Sequence, residues 1–172
     1  MANAPSTGRE PIRAQQLEQL RALIRAVRPA NAFYETKLAS AGIDDSIASL
    51  EDFAARCPFT TKDELVADQS AHAPYGCNLT FPVEQYNRIH QTSGTSGKPL
   101  RWLDTPESWQ SMLESWKLVY RAAGVTDTDR ALFAFSFGPF IGFWMAYEAA
   151  TQMGCLCFPG GGLTSATRLR IL

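Results

Sequence analysis

The sequence has few cysteines and almost no net charge. Its four cysteines, Cys57, Cys77, Cys155 and Cys157, are too few and too widely spaced to form a disulfide scaffold. The 16 lysines and arginines are balanced by 17 aspartates and glutamates, which gives a net charge of −1. Because no basic surplus is available to neutralise a phosphate backbone, we expect no nucleic-acid binding. A content of 45% apolar and 19% charged residues is typical of a globular protein.

The sequence also lacks an apolar run suited to crossing a membrane. Charged residues such as Arg9 and Glu10 interrupt the N-terminal segment, which therefore does not have the apolar core of a signal peptide. The uncharged stretch from Ala131 to Tyr147 approaches the roughly 20 apolar residues that a membrane helix needs. However, Gly138-Pro139 in its middle would break such a helix. We expect a cytoplasmic protein that does not contact a membrane.

The N-terminal part of the chain has the pattern of short helices. Apolar residues that recur every three or four positions predict an amphipathic helix from Pro11 to about Arg28. Thr61 and Glu64 stand three residues apart, which is the spacing of a capping box at a helix start. We therefore expect a disordered leader over residues 1–10 and a helical segment over residues 11–70.

From residue 71 onward the pattern changes to strands that alternate with helices. Strands are predicted to begin near Tyr86, Leu100, Arg130 and Cys155, with helices between them. This alternation is typical of βαβ units. The fold class predicted is therefore α/β, with a mainly parallel sheet and flanking helices, and residues 71–172 would form an incomplete nucleotide-binding subdomain.

The most informative segment is the loop Thr92–Pro99, which is rich in hydroxyl groups and glycine. Glycines allow backbone conformations in which successive N–H groups turn toward one site, and hydroxyls and a lysine add further donors. Such a loop suits the oxygens of a polyphosphate. The Walker pattern does not fit, because only two residues separate Gly94 from Gly97 and Pro99 follows Lys98. A polar hairpin that merely joins two strands is the alternative.

The segment Arg88–Pro99 resembles the phosphate-loop signature of adenylate-forming enzymes, and most of all that of the phenylacetate–coenzyme A ligase family. Further segments resemble that family in the same order along the chain, from about residue 12 to the end. These segments are Asn31–Glu35, Pro58–Leu65, Gly138–Trp144 and Pro159–Leu163.

The resemblance implies an ATP-dependent acid–thiol ligase. Its substrates and cofactors would be ATP, Mg²⁺ and coenzyme A, with an acyl-adenylate formed before the acyl-CoA thioester. The resemblance places these residues at the β- and γ-phosphates: Ser93, Gly94, Thr95, Ser96, Gly97 and Lys98. The family's Mg²⁺-binding segment and catalytic lysine have no counterpart in this sequence, so we expect them beyond Leu172, in the remainder of a parent ligase. A non-catalytic assembly or regulatory module with a ligase-like fold is the alternative.

A second candidate site is the aromatic turn formed by Phe137, Gly138, Pro139 and Phe140. Ligands of open α/β sheets bind where strands end, as this predicted turn does. The resemblance implies an aryl or arylacetic acid in such a pocket, although packing of the protein core also explains these aromatic residues.

The remaining candidates favour structural roles. His72 with Cys77 and Cys57 has none of the close ligand spacing of a zinc motif, so no metal site is predicted. His90 is expected to be a strand histidine with satisfied hydrogen bonds, and Glu148 to be paired or to face water. We also expect a homo-oligomer, formed through an exposed sheet edge or the helix face of Trp109 and Trp116.

Overall fold

The computed structural model describes residues 8–94 and 97–171. It has a mixed α/β fold and divides into two compact units, of which the first ends at Val83 and the second begins at Glu84. No helix in these ranges is both long and apolar enough to span a bilayer.

The first unit is helical. Its helices are α1 (Arg9–Val27), α2 (Ala32–Ser40), α3 (Leu50–Arg56) and α4 (Lys62–Ala71). The predicted capping box at the start of α4 is confirmed, since the Thr61 hydroxyl accepts from the Glu64 N–H and the Glu64 carboxylate accepts from the Thr61 N–H. The core of this unit consists of Ile24, Leu38, Ile43 and Ile47.

Two features of the helical unit differ from the expected boundaries. Helix α1 begins at Arg9, so the end of the predicted leader 1–10 is helical, while residues 1–7 lie outside the described residues. The chain that follows α4 also belongs to this unit. The side-chain amide of Asn31 donates to Asn78 Oδ1 at 3.0 Å and to Thr80 Oγ1 at 3.2 Å, which ties the segment after residue 71 back to α2.

The second unit contains strands and helices. Its elements are β1 (Arg88–Gln91), β2 (Arg101–Asp104), α5 (Pro106–Ala122), β3 (Arg130–Phe133), α6 (Ile141–Gln152), β4 (Leu156–Pro159) and α7 (Ser165–Ile171). Strands β1 and β2 pair in antiparallel fashion, and β3 and β4 pair in parallel. The described strands therefore form two two-stranded sheets, of which one is parallel. The antiparallel pair arises because the loop between β1 and β2 makes a hairpin, whereas helix α6 supplies the crossover that a parallel pair requires.

Helices α5 and α6 pack against each other and against one face of β3 and β4. Trp109 and Leu113 of α5 are buried with Ala149 of α6. Phe133 and Cys155 are buried with the other side of α6, as expected for core residues. The face of α5 that carries Trp109 is thus occupied within this unit, whereas association through the other side of this helix stays a prediction.

Candidate nucleotide-phosphate site

The loop that the sequence singled out is closed at its base by two hydrogen bonds. The Thr92 N–H donates to the Leu100 carbonyl at 3.0 Å, and the Leu100 N–H donates to Thr92 Oγ1 at 3.0 Å. The alternative interpretation, a hairpin between two strands, is therefore correct as a description of the structure. It is also compatible with phosphate binding, because the hairpin holds a tight loop at a fixed place.

Both glycines of the loop have positive φ angles. Gly94 has φ +69° and Gly97 has φ +142°, and the Gly97 N–H donates to the Gly94 carbonyl at 3.0 Å. A Cβ atom on Gly94 would stand 3.1 Å from the Gly97 carbonyl oxygen and 3.2 Å from Pro99 Cδ. A larger residue at position 94 would thus be strained both by its backbone conformation and by its neighbours.

The structure describes two of the four polar side chains from Ser93 to Lys98. Ser93 and Lys98 are exposed to solvent. Thr95 and Ser96 lie outside the described residues. The contact of this loop with phosphate accordingly stays a prediction.

A charged and aromatic cluster beside β1 was not predicted from the sequence. The Arg88 guanidinium donates to both carboxylate oxygens of Glu148, at 2.9 and 3.0 Å. Trp109 Nε1 donates to Glu148 Oε2 at 2.8 Å, and the guanidinium of Arg88 lies 4.4 Å from the centre of the Trp109 ring. Glu148 is therefore paired, which was one of the two expected outcomes. The one available signal was an isolated acidic residue in the otherwise apolar helix α6.

His90 is buried in β1 beside the same tryptophan. Its ring stacks on Trp109 with 5.0 Å between ring centres and an angle of 12° between planes. Its Nδ1 faces Asp104 Oδ2 at 3.5 Å, and neither of these buried atoms has a hydrogen-bond partner among the described residues. The prediction of a strand histidine is confirmed, whereas the prediction that its hydrogen bonds are satisfied is wrong for Nδ1.

The predicted acyl-pocket turn is joined to the end of β1. The Gln91 N–H, directly before the phosphate loop, donates to the Pro139 carbonyl at 3.0 Å. Gly138 has φ +51°, and its carbonyl accepts from Trp144 Nε1 at 2.8 Å. The two candidate sites are thus neighbours, because a backbone hydrogen bond fixes the turn to the strand that carries the phosphate loop.

The aromatic residues of this turn differ in their surroundings. Phe137 packs among core aromatics, with ring centres 4.8 Å from Trp144 and 5.3 Å from Tyr147. Phe140, at the start of α6, is 39% exposed and touches Phe143 at 6.1 Å between ring centres. Core packing therefore accounts for Phe137, and Phe140 is the residue of the pair that remains accessible to a ligand.

The glycine triplet after β4 lies along the extension of β3. The Gly160 N–H donates to the Phe133 carbonyl at 2.8 Å. A Cβ atom on Gly161 would stand 2.6 Å from the Phe135 carbonyl oxygen, a distance that no side chain tolerates. Only glycine allows the two backbone segments to approach this closely. This explains why glycine occurs in the segment Pro159–Leu163, which is one of those that resemble the family.

The fold is that of the adenylate-forming ligases. The structure matches crystal structures of 2-hydroxyisobutyryl-CoA ligase in complex with 2-HIB-AMP and CoA. The structure of that ligase in the thioesterification state matches with a TM-score of 0.84 and 27% identity, and the match covers 96% of this chain and 35% of the ligase chain. In an open conformation the TM-score is 0.81 with 25% identity, covering 99% of this chain and 42% of that one. The chain therefore has the fold of the N-terminal portion of such a ligase.

Sequence comparison defines the relationship more closely. The chain is 30% identical over 168 residues to a phenylacetate-coenzyme A ligase of Pseudomonas putida, covering 95% of this chain and 36% of that protein. It is 33% identical over 158 residues to a phenylacetate-coenzyme A ligase of Thermus thermophilus, covering 91% and 34% respectively. No protein-family model matches the chain. The predicted resemblance is confirmed, since the chain is related over nearly its whole length to the N-terminal portion of phenylacetate–coenzyme A ligases and spans about a third of their length.

Proposed function

We propose that the protein containing this chain is an ATP-dependent ligase that joins a carboxylic acid to coenzyme A. The observation that carries the proposal is the hairpin loop after β1, where Gly94 and Gly97 have positive φ angles next to the exposed Lys98. Backbone N–H groups that turn toward one site, together with a nearby cation, bind phosphate oxygens. The names of the related ligases supply the acid and coenzyme A as the substrates to test.

The proposed reaction has two steps. A carboxylate oxygen attacks the α-phosphorus of ATP, and the bond from that phosphorus to the bridging oxygen breaks as pyrophosphate leaves. The thiolate of coenzyme A then attacks the acyl carbonyl, and AMP leaves with the electrons of the broken C–O bond. The loop residues Ser93, Gly94, Thr95, Ser96, Gly97 and Lys98 would hold the β- and γ-phosphates and so stabilise the charge of the leaving group in the first step.

Mg²⁺ accompanies ATP in reactions at phosphorus and prefers carboxylate and water oxygens. Of the two carboxylates near β1 and β2, Glu148 is paired with Arg88, and the Asp104 side chain, which faces His90, is only 13% exposed. The loop offers donors suited to the phosphates of ATP, but neither of these carboxylates is open to the ion. We propose that this chain holds the phosphates and that the rest of the complete protein supplies the ligands of Mg²⁺.

The acid proposed is an aryl or arylacetic acid. The hydrogen bond from Gln91 to Pro139 places the aromatic turn beside the strand that leads into the phosphate loop. Phe140, which is partly exposed there, offers an apolar ring surface to an aromatic acid. An acid bound at this turn would lie beside the loop proposed to hold ATP.

The test is the substitution Lys98→Ala in the complete protein, with ATP–pyrophosphate exchange as the readout. Loss of one cationic contact to the leaving phosphates should slow exchange on the order of 100-fold. Lys117→Ala is the matched control, because Lys117 forms an ion pair with Glu114 on α5. Exchange that is unchanged in Lys98→Ala would refute the phosphate assignment. A protein that shows no exchange with any aryl acid would refute the aryl-acid assignment, and one that shows none with any carboxylic acid would refute the ligase assignment.

A further inference from the structure

Three side chains that can ligate a metal ion meet at the end of α4. Asp68 lies in this helix, His72 is its C-cap residue four positions later, and Cys77 comes from the loop that follows. Asp68 Oδ1 is 3.1 Å from His72 Nδ1 and 2.8 Å from Cys77 Sγ, and the donor atoms of all three residues lie within 4.8 Å of one another. The cluster lies in the helical unit and has no part in the proposed ligase reaction.

The carboxylate at the centre of the cluster is held in place by backbone groups. The side chain of Asp68 is only 6% exposed, and its Oδ2 accepts from the Cys77 N–H at 2.9 Å. The loop closes tightly around it, since a Cβ atom on Gly76 would stand 2.1 Å from Asp68 Oδ2. The Cys77 N–H also lies 3.1 Å from Asp68 Oδ1, so both carboxylate oxygens accept from it. A carboxylate that is held by such hydrogen bonds is typical of a ligand whose direction is fixed before the metal arrives.

We propose that Asp68, His72 and Cys77 bind a Zn²⁺ ion. One imidazole nitrogen, one carboxylate oxygen and one thiolate sulfur are donors that zinc accepts together in a tetrahedral site. The side chain of His72 is 60% exposed, so the ion can enter from solvent and water can take the fourth position. The sequence predicts no metal site from His72, Cys77 and Cys57, whereas the structure brings Asp68 to His72 and Cys77.

The two distances from Asp68 to the other ligands lie close to those of a zinc site. Bonds of about 2.0–2.3 Å arranged tetrahedrally around zinc separate neighbouring donor atoms by about 3.3–3.6 Å. The distance from Asp68 to His72 is already near this range, and that from Asp68 to Cys77 must widen by several tenths of an ångström. The short distance is that of a hydrogen bond from the thiol to the carboxylate, and the ion would replace the thiol proton that lies between them.

The test is titration of the purified chain with Co²⁺, a spectroscopic substitute for Zn²⁺, followed by competition with Zn²⁺. We expect one equivalent to bind with a near-ultraviolet absorption band from the thiolate, and Zn²⁺ to displace it. Cys77→Ser should abolish that band, and His72→Gln should weaken binding at least about 10-fold. Cys57→Ser is the matched control and should bind as the unsubstituted chain does, because Cys57 is not a member of the cluster.

Each outcome of this titration decides the proposal. Circular dichroism of the metal-free variants checks that they fold, and neither His72→Gln nor Cys77→Ser removes the buried carboxylate. A thiolate band that survives in Cys77→Ser would overturn the site, as would its loss in Cys57→Ser or the absence of any band from the unsubstituted chain. Since no ATP or acid is involved, failure here would leave the proposed ligase function unaffected.

Discussion

Arg88 and Glu148, which are 60 residues apart in the sequence, form a two-point ion pair in which both carboxylate oxygens accept from the guanidinium. The pair joins β1 to α6, and Trp109 of α5 donates a third hydrogen bond to the same carboxylate. Strand β1 is therefore fixed to α5 and α6 directly before the phosphate loop. A two-point ion pair fixes both the distance between the two side chains and their relative orientation. It therefore also fixes the position of β1, from which the loop starts.

The first prediction concerns the stability that this pair provides. Glu148→Gln keeps the size of the side chain and an acceptor for Trp109, but leaves the partly buried Arg88 without its counter-charge. We expect the free energy of unfolding to fall by about 1–3 kcal/mol, measured by urea denaturation with circular dichroism. The matched control is Glu114→Gln, which removes the ion pair to Lys117 from an exposed carboxylate and should cost less than about 1 kcal/mol. Equal losses in both variants would contradict the prediction.

The second prediction concerns the acid pocket. Phe140→Ala in the complete protein should relax selectivity among aryl acids, because it removes an accessible ring beside the phosphate loop. Steady-state kinetics with acids of different size would show a lower ratio of kcat/KM between the preferred acid and the others. Phe59→Ala removes an exposed ring from the helical unit and serves as the control. Unchanged rate and preference in Phe140→Ala would mean that the pocket is lined by other residues.

The third prediction concerns pH and the start of α4. The hydrogen bond from Lys37, followed by that from the Thr61 N–H, lowers the pKa of Glu64 to about 2. Since this value lies below the unfolded value of about 4.3, the stabilising effect is complete above the unfolded pKa and is lost as the pH falls through the folded pKa. The difference in free energy of unfolding between the unsubstituted chain and Glu64→Gln should therefore shrink from about pH 5 to about pH 2. A difference that does not change with pH would contradict this.

Local signals in the sequence predicted local structure well. The capping box of Thr61 and Glu64 is present at the start of α4. The strands at Arg130 and Leu156 lie near the expected positions. These features depend on neighbours a few residues away, so the sequence contains all the information that they need.

Contacts between distant residues could not be predicted in the same way. Arg88 pairs with Glu148, and Asp68 lies close to Cys77, because the folded chain brings these residues together. No pattern in the neighbouring sequence indicates either contact. The sequence also leaves open whether the loop between β1 and β2 is a hairpin or a phosphate loop within a parallel sheet, and the structure shows the antiparallel pairing of a hairpin. In each case tertiary packing decides among several arrangements that the local pattern permits.

The last prediction is that the purified chain associates with itself through the outer face of β3 and β4. The parallel register places Leu132 beside Phe158 and Arg130 beside Leu156, so these side chains share the face opposite α5 and α6. Helix α7 covers this face in part, where Ile171 borders a cavity of about 230 Å³. Parallel sheets are stable when both faces are covered, and exposed apolar patches of this kind recruit a partner.

Two matched substitutions test this association. Leu156 is 68% exposed on this sheet face, and Leu118 is 63% exposed on α5. Sedimentation velocity should show a dimer or larger species for the unsubstituted chain and for Leu118→Glu, but a monomer for Leu156→Glu, because a carboxylate cannot be buried without a partner. A monomeric unsubstituted chain at about 100 μM, a concentration at which even a weak contact with a micromolar Kd is occupied, would refute the prediction. Dissociation by Leu118→Glu alone would instead place the contact on α5.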